Sequence, residues 1–426
     1  MKRHLLVLVI LLSILVVPFT GDQSASVEAQ DQVTIRWWHI QTNPDQAAFW
    51  EKVANDYMAM HPNVTIDITV LENEAFKQRI VTNMQAGDPP DLFQSWGGGP
   101  LWQFADAGLL RDISDELEGE WRDSFSAQSA VEMFGQDGEY YGVPWSWGAV
   151  VMWYNKELFE QAGLDPENPP ATWEEFLEVV QALKDAGITP IALGEGDKWP
   201  GHFWWVYLAI RCGGEEAFLA AYTREGSFDD EAFVCAGERL VELIELEPFQ
   251  EGFLGLGYGD EAAAFGDGLA AMELMGHWAP GAHAENSESG GAAIEGKVGI
   301  FAFPTWDGAH DGLLGGGDGF VIGKNAPDET VDFLRYITSA EVQREAAKIW
   351  VIPVIAEAED AIEDELLRQV LQIRNEATYA QMYYDQFLPP AVGQAVLDAV
   401  EGLFAEQYSP EEAAQIIEDE ASFELD

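Results

Sequence analysis

The sequence predicts an α/β protein that folds as two lobes. Its 426 residues are too many for one hydrophobic core of ordinary size, and its 47% of hydrophobic and 12% of aromatic residues exclude general disorder. Segments in which apolar and polar residues alternate, as in strands, are repeatedly followed by segments with helical spacing. This order is typical of mainly parallel sheets that are covered by helices.

The first part of the chain predicts the order strand, helix, strand, helix, strand. Asn43 and Pro44 predict the start of the first helix, because asparagine caps helices and proline fits the first helical position. A second helical stripe of apolar residues ends at Gly87. The three strands have alternating or continuous apolar residues and are expected at 33–38, 64–70 and 91–93.

The middle and the end of the chain repeat this alternation. Thr172 and Glu175 have the spacing of a capping box, and the helix that they begin is expected to stop at Gly187. Similar helix starts are expected at Thr338 with Glu341 and at Ser409 with Pro410 and Glu412. Further strands are expected at 150–154, 188–193, 298–303 and 319–323.

The beginning of the chain has the composition of an export signal. Lys2 and Arg3 precede an apolar run over residues 5–17, which is too short to span a bilayer comfortably. Cleavage is expected before Gln30, so that residues 1–29 are removed as a signal peptide. No cysteine stands near this point, and we therefore expect no lipid anchor. The mature protein is expected to be exported, periplasmic or extracellular, and soluble.

The charge of the chain restricts its partners. Against 75 acidic residues there are 21 basic ones, which gives a net charge of −54. Such a surface repels nucleic acid and anionic membranes, so neither is expected as a partner. Because the acidic residues are spread over the helices, we expect them to keep the protein solvated and soluble in a salty or otherwise demanding medium. A cationic ligand is the alternative.

The chain contains two cysteines, Cys212 and Cys235. In an oxidising exterior, one disulfide between them is the simplest arrangement, and two separately buried thiols are the alternative. Without histidines at matching spacing they do not favour a metal site. No metal and no cofactor are expected.

The sixteen tryptophans give the clearest indication of a ligand. Many lie in short segments flanked by glycine or proline, where the ring offers a flat platform rather than core packing. A sugar presents C–H groups on its face and hydroxyls on its rim, so it suits aromatic platforms that are bordered by polar side chains. The expected ligand is therefore a sugar.

Several segments, in this order and spacing, resemble the extracellular solute-binding proteins of family 1, the maltose-binding-protein-like receptors of ABC importers. They are MQAGDPPD (84–91), YGVP (141–144), YNKELF (154–159), AGL (162–164), TWEEF (172–176), AAM (270–272), GHW (276–278) and GFVI (319–322). The ligand-facing loops differ from those of a maltose binder, so the resemblance does not carry over the identity of the sugar.

The resemblance implies a type II periplasmic-binding-protein fold, in which two lobes with a mainly parallel sheet each are joined by a hinge. The lobes are expected at residues 30–142 plus 304–348 and at residues 143–303 plus 349–426. A monomer is expected to hold a sugar, in particular an oligosaccharide, between the lobes and to deliver it to the permease subunits of an ABC importer. Closure of the lobes on the ligand is the usual motion of such proteins.

The candidate ligand-binding residues follow strand ends or lie in glycine-rich loops, where an open α/β sheet binds its ligand. Trp278 matches the tryptophan that stacks on sugar in the resembling family, and the position of Trp145 borders the cleft there. His39 and Lys198 have alternatives as ordinary loop residues, and Asp318 has one as a turn residue. The full set is His39, Gln41, Gln94, Trp96, Trp145, Lys198, Trp199, His202, Trp278, Gly317, Asp318 and Trp350.

Two other functions stay open at this point. A secreted glycoside hydrolase also needs acids and aromatic platforms, and with this many acids any catalytic pair can be nominated. No hydrolase, metalloprotease or phosphate-binding motif is present, so no enzymatic activity is expected. A binder of a cationic solute such as a polyamine would need aromatics enclosed by carboxylates.

Overall fold

The computed structural model describes residues 32–425 and places eleven strands in that range. The expected signal peptide at residues 1–29 and its cleavage point lie outside the described residues. The strands are β1 (Val33–His39), β2 (Val64–Val70), β3 (Leu92–Ser95), β4 (Gly135–Gln136), β5 (Glu139–Tyr140), β6 (Gly142–Asn155), β7 (Thr189–Ile191), β8 (Ala270–Gly276), β9 (Val298–Phe301), β10 (Leu313–Ile322) and β11 (Ala380–Gln381).

Helices fill most of the sequence between these strands. The α-helices are α1 (Pro44–Met60), α2 (Asn73–Gln85), α3 (Gly98–Asp106), α4 (Ser114–Leu117), α5 (Glu120–Asp123), α6 (Gln128–Glu132), α7 (Lys156–Gln161), α8 (Trp173–Asp185), α9 (Trp199–Tyr222), α10 (Glu231–Ile244), α11 (Tyr258–Gly266), α12 (Ala279–Asn286), α13 (Asp328–Ile337), α14 (Ala340–Ala346), α15 (Glu365–Glu376), α16 (Tyr384–Phe387), α17 (Pro390–Phe404) and α18 (Pro410–Glu424). Short 3-10 helices lie at Glu195–Asp197, Phe253–Gly255, Ala347–Ile349 and Ala356–Ala361.

The principal sheet has the strand order β2-β1-β3-β10-β6-β8-β7, with β11 beside β10 and β9 beside β6. β1 is parallel to β2 and β3, and β7 is parallel to β8. β10 is antiparallel to β3 and β6, and β6 is antiparallel to β8 and β9. The sheet is therefore mixed rather than mainly parallel, because one long strand leaves the first lobe and another returns to it in the opposite direction.

Two separate hydrophobic cores confirm the predicted two-lobed α/β class. The first core lies around β1, where Trp37 packs edge-on against Trp50, Phe320 and Phe333 with ring centroids 5.2 to 5.6 Å apart. The helix that supplies Trp50 begins as expected, since the Asn43 side chain accepts a hydrogen bond from the Asp45 backbone N–H at 3.0 Å.

The second core surrounds α9 and the second half of β6. Trp204 and Trp205 are both buried in it, and Tyr207 stacks on Phe303 with ring centroids 4.4 Å apart. α9 is long and mostly apolar, but no helix among the described residues has the length and apolarity needed to cross a membrane. On α8, Thr172 and Glu175 form the capping box that the sequence predicts.

The chain crosses between the lobes later than the sequence suggests. In β6, core membership changes between Trp147 and Ala149 rather than at 142/143, and in β10 it changes between Leu314 and Phe320 rather than at 303/304. Between Ala346 and Ile362, members of the two cores alternate along the chain, and the predicted boundary at 348/349 lies within this stretch. In β6 and β10 the crossings lie inside long strands, whose alternation gives no sign of where one core ends.

One helix cap also differs from the prediction. Ser339, not Thr338, caps α14, with its hydroxyl accepting a hydrogen bond from the Val342 backbone N–H. Thr338 lies one residue earlier, at the end of α13, and its hydroxyl accepts a hydrogen bond from Trp121 Nε1 at 2.8 Å. Two successive hydroxyl residues made the position of the cap ambiguous in the sequence.

The structure joins Cys212 on α9 to Cys235 on α10 in a disulfide. These two helices pack along each other in the second lobe. Because both ends of the crosslink lie within one lobe, it stabilises that lobe without restraining the other.

Candidate functional site

A cavity of about 440 Å³ lies between the two lobes, and residues from both lobes line it. On the first lobe, the lining comes from segments that follow β1, β2 and β3. On the second lobe, it comes from the segments around the starts of α9, α11 and α12, and from residues just before and in α16. β10 passes between the lobes and supplies the base of the cavity.

The first-lobe wall is mainly polar. Gln41 follows β1, and its backbone N–H donates to His39 Nδ1 at 3.2 Å. Burial lowers the pKa of His39 to about 4, so its imidazole is neutral and can accept this hydrogen bond. Trp96 follows β3 and is the aromatic platform of this wall, with Lys77 Nζ 5.8 Å from its ring centroid.

The second-lobe wall is mainly aromatic. Trp199 packs edge-on against Tyr258 with ring centroids 4.8 Å apart, and Phe203 stacks on Tyr383 at 5.0 Å. Trp278 lies edge-on to Tyr383 at 6.5 Å. Together these rings form a broad apolar surface of the kind that receives the C–H face of a ring-shaped ligand.

Glycines allow these rings to lie close to the strands. A Cβ at Gly316 of β10 would lie 2.2 Å from a ring carbon of Tyr383. A Cβ at Gly276 of β8 would lie 2.1 Å from the ring of Trp278. At both positions the absence of a side chain is what lets the aromatic ring cover the strand at the edge of the cavity.

Asp318 lies at the base of the cavity on β10. Its Oδ1 accepts a hydrogen bond from Gln94 Nε2 at 2.6 Å. Burial raises the pKa of Asp318 to about 6, while hydrogen bonds from Gln94 and Trp96 act against the rise. At neutral pH the group is therefore mostly ionised and can accept hydrogen bonds from ligand hydroxyls.

Asp385 provides a second carboxylate on the opposite wall, and its side chain is 8% exposed. Its Oδ1 is 3.3 Å from His202 Nε2, and His202 Nδ1 lies 2.7 Å from the Trp199 carbonyl oxygen. Burial alone would raise the pKa of Asp385, but His202 and Lys77 outweigh it and lower the pKa below its ordinary value. His202 thus links this carboxylate to the segment that carries Trp199.

Several polar groups of this wall are buried without a hydrogen-bond partner in the described part of the protein. The Tyr383 hydroxyl and Trp199 Nε1 have no hydrogen-bond partner among residues 32–425, although the two residues are only 5% and 9% exposed. Buried donors ordinarily find a partner, because leaving one unpaired costs free energy. Their position on the cavity wall suits hydrogen bonds to a polar ligand.

Two hydrogen bonds join the lobes across the opening of the cavity. Asn43 Nδ2 donates to the Gly281 carbonyl oxygen at 3.1 Å, and Thr42 Oγ1 donates to Glu285 Oε2 at 3.3 Å. Each pairs the start of α1 in the first lobe with α12 in the second. The structure thus holds the lobes together on this side.

The structure brings half of the candidate ligand-binding residues to the cavity. Those that line it are Gln41, Trp96, Trp199, Trp278, Gly317 and Asp318. Three others, His39, Gln94 and His202, lie behind the wall and hydrogen-bond to residues that line it or lie beside them. These three residues were predicted to contact the ligand, whereas in the structure they support the residues that line the cavity.

Three candidates lie elsewhere. Trp145 is buried in the first core, edge-on to Trp50 at 5.1 Å and stacked on Phe320, because the phase of β6 turns it inward. Lys198 Nζ points to α17, where it pairs with Asp398 at 2.6 Å and Glu401 at 2.9 Å. Trp350 ends a 3-10 helix in a left-handed conformation and does not line the cavity.

Most of the residues that line the cavity were not among the candidates. Glu72 and Asn73 lie just after β2, so the rule of strand ends that found Gln41 should have found them. Many of the others lie on helices or in the returning C-terminal segment, where no strand end marks them. They include Lys77, Phe203, Tyr258, Glu285, Tyr383 and Asp385.

The comparison with protein families gives one assignment. Residues 41–344, more than half of the chain, match the family described as bacterial extracellular solute-binding protein. Among similar proteins, an uncharacterized ABC transporter extracellular-binding protein of Pyrococcus horikoshii is 26% identical over 330 residues, 76% of this chain and 71% of that protein. The lactose-binding protein of Rhizobium radiobacter is 26% identical over 325 residues, 73% of this chain and 71% of that protein.

Solved structures agree with this assignment. A chitin oligosaccharide binding protein is 26% identical with a TM-score of 0.84, covering 93% of this chain and 99% of that one. A protein from a study of xylan utilization by Caldanaerobius polysaccharolyticus is 27% identical with a TM-score of 0.83, covering 91% of this chain and 99% of that one.

Proposed function

Because the chain belongs to the bacterial extracellular solute-binding protein family, we propose that it is the sugar receptor of an ABC importer. In this role it binds an oligosaccharide between its lobes and presents it to the permease. The observation that carries the proposal is the cavity itself, in which a wall of five aromatic rings faces a wall of polar side chains.

This arrangement fits a sugar better than other small solutes. The rings of Trp199, Trp278 and Tyr383 offer apolar area to the C–H face of a pyranose. Gln41, Asn73 and Asp318 offer amide and carboxylate groups to its hydroxyls. The similar proteins named for lactose and for chitin oligosaccharide support the same ligand class.

We propose no catalytic role for the cavity. A glycoside hydrolase needs an acid and a base or nucleophile on either side of the scissile bond, with at least one carboxyl tuned to donate a proton. Asp318 has a raised pKa and Asp385 a lowered one. Asp318 is held by a hydrogen bond from Gln94 and Asp385 by His202, so both carboxylates are suited to accepting hydrogen bonds from a bound sugar. We therefore propose a receptor that releases its ligand unchanged, acts as a monomer and is exported.

Intrinsic tryptophan fluorescence tests the function directly, because Trp96, Trp199 and Trp278 line the cavity. The purified chain is titrated with xylotriose, chitotriose, maltotriose, lactose and raffinose, and with spermidine as the cationic alternative. We expect a saturable change with at least one sugar and none with spermidine. A response to spermidine alone would exclude the sugar receptor. Thin-layer chromatography of the incubated sugars detects any hydrolysis, and glycoside cleavage would contradict the non-catalytic role.

A further inference from the structure

Acidic residues outnumber basic ones among the residues that line the cavity. Lys77 is the one basic residue among the lining residues that the structure describes, and its Nζ already pairs with Glu74 at 2.8 Å. Five acidic residues line the same cavity. They are Glu72, Asp197, Glu285, Asp318 and Asp385.

Two of these acids, Asp318 and Asp385, line the cavity together with Tyr383, whose hydroxyl is buried. Burial raises the pKa of Tyr383 well above its ordinary value, and the charges of Asp318 and Asp385 raise it further. The Tyr383 hydroxyl therefore stays protonated, and it has no hydrogen-bond partner among residues 32–425. Together the three groups present one hydrogen-bond donor and two strong acceptors to a ligand in the cavity.

We propose that Asp318 and Asp385 make the cavity a charge filter, which accepts sugars that are uncharged or carry an amine and rejects sugars that carry a carboxylate or a phosphate. The inference rests on the proposed function and specifies its ligand class. Uncharged sugars satisfy the two carboxylates through their hydroxyls, and an ammonium group is attracted to them. An anionic group in the same place meets two like charges, and Lys77, the basic residue among the described lining residues, already pairs with Glu74.

The filter differs from the general repulsion that a net charge of −54 exerts on anions. Exposed charges act over the Debye length, which falls to about 3 Å at about 1 M salt. Asp385 is only 8% exposed, so salt screens its effect on a bound ligand much less. Rejection by the two carboxylates therefore persists in high salt, whereas rejection by the surface does not.

The experiment compares matched sugars by isothermal titration calorimetry at about 1 M NaCl. Xylotriose is compared with xylotriose that carries a glucuronate, and chitotriose with the chitosan trisaccharide that carries free amines. We expect the glucuronate derivative to bind at least about a hundredfold more weakly than xylotriose, because like charges in a binding site are strongly unfavourable. The chitosan trisaccharide should bind at least as well as chitotriose.

The variant Asp318→Asn/Asp385→Asn removes both charges while keeping side chains of the same size that accept hydrogen bonds. The penalty for the glucuronate derivative should fall to within about tenfold of the neutral sugar. The single variants Asp318→Asn and Asp385→Asn should each reduce the penalty in part, and they decide the question if the double variant does not fold or binds nothing. As a control, Asp307→Asn/Glu363→Gln removes two exposed charges outside the cavity and should leave the penalty unchanged.

Several results would overturn the filter. If the glucuronate derivative binds the native protein as tightly as xylotriose, the filter is wrong while the sugar receptor stands. If all the aspartate variants keep the full penalty, the assignment to these residues is wrong. If neither uncharged sugar binds and the fluorescence panel is also negative, the proposed function fails together with the filter.

Discussion

At the scale of single residues, Trp278 combines several features of a binding platform. It follows β8, lines the cavity and lies edge-on to Tyr383, while the absence of a side chain at Gly276 leaves room for its ring. We expect Trp278→Ala to weaken sugar binding by roughly 2–4 kcal/mol, the loss typical of an aromatic anchor. Calorimetric titration measures it. Trp306→Ala is the control, because Trp306 packs under Arg239 and does not line the cavity.

Asp318 gives a prediction for pH. Its folded-state pKa of about 6 lies above the ordinary value of 3.8, so the folded state favours the protonated form. The stability that protonated Asp318 contributes to the folded state is fully present below about pH 3.8, and it is lost as the pH rises through about 6. The free energy of unfolding of Asp318→Asn, relative to that of the native protein, should therefore rise by roughly 1–3 kcal/mol between about pH 4 and about pH 7.5.

Urea unfolding of both proteins at these two pH values measures this difference, with Asp307→Asn as an exposed control. Equal stability changes at both values would show that burial of the Asp318 charge costs nothing in the folded protein.

At the scale of secondary-structure elements, the glycines of β10 place an aromatic ring. Gly316→Ala would bring a Cβ to 2.2 Å from the Tyr383 ring, so the ring must move away from the base of the cavity. We expect sugar affinity to fall at least about tenfold. Gly255→Ala is the matched control, because a Cβ there meets no atom within 4 Å. Calorimetry on both variants distinguishes a local effect from a general cost of replacing glycine, and equal losses would contradict the role of Gly316.

The disulfide between α9 and α10 has a separate role. It closes a loop with a sequence separation of 23 residues, and removing such a crosslink is expected to cost about 3 kcal/mol through the freedom regained by the unfolded chain. Cys212→Ser/Cys235→Ser should therefore unfold at lower urea concentration. Sugar affinity at low urea should be unchanged, because neither cysteine lines the cavity. A large loss of affinity in the folded variant would show that the crosslink also positions the site.

At the scale of the whole molecule, the net charge of −54 predicts a dependence on salt. Repulsion between like charges destabilises the compact state, and salt reduces its range. We expect the melting temperature to rise as NaCl increases from about 0.05 M to about 1 M. Trimethylamine N-oxide at equal osmolality is the control, because it is not a sugar and does not screen charge. A melting temperature that is independent of salt would show that repulsion among the acidic residues does not measurably destabilise the folded protein.

The fold followed from the sequence more fully than the site did. Alternation and capping signals located most strands and helices. Gln41 and Trp96 were found because they follow strands, and Asp318 because it stands in a run of glycines. Tyr258 and Asp385 come from helices whose placement depends on tertiary packing, for which the sequence has no local signal. Trp145 was misplaced since a tryptophan on a buried strand and one at a cleft have the same local pattern.

The aromatic rings are divided unequally between the two walls of the cavity, and this division favours one order of ligand contacts during transport. Five rings of the cavity belong to the second lobe, while the first lobe contributes Trp96 and mostly polar groups. In an open molecule, a sugar would therefore settle first on the second lobe, which offers it the larger apolar area. The first lobe, held to α12 by Asn43 and Thr42, would then determine the residence time. A permease that separates these contacts would shorten that residence without having to touch the sugar.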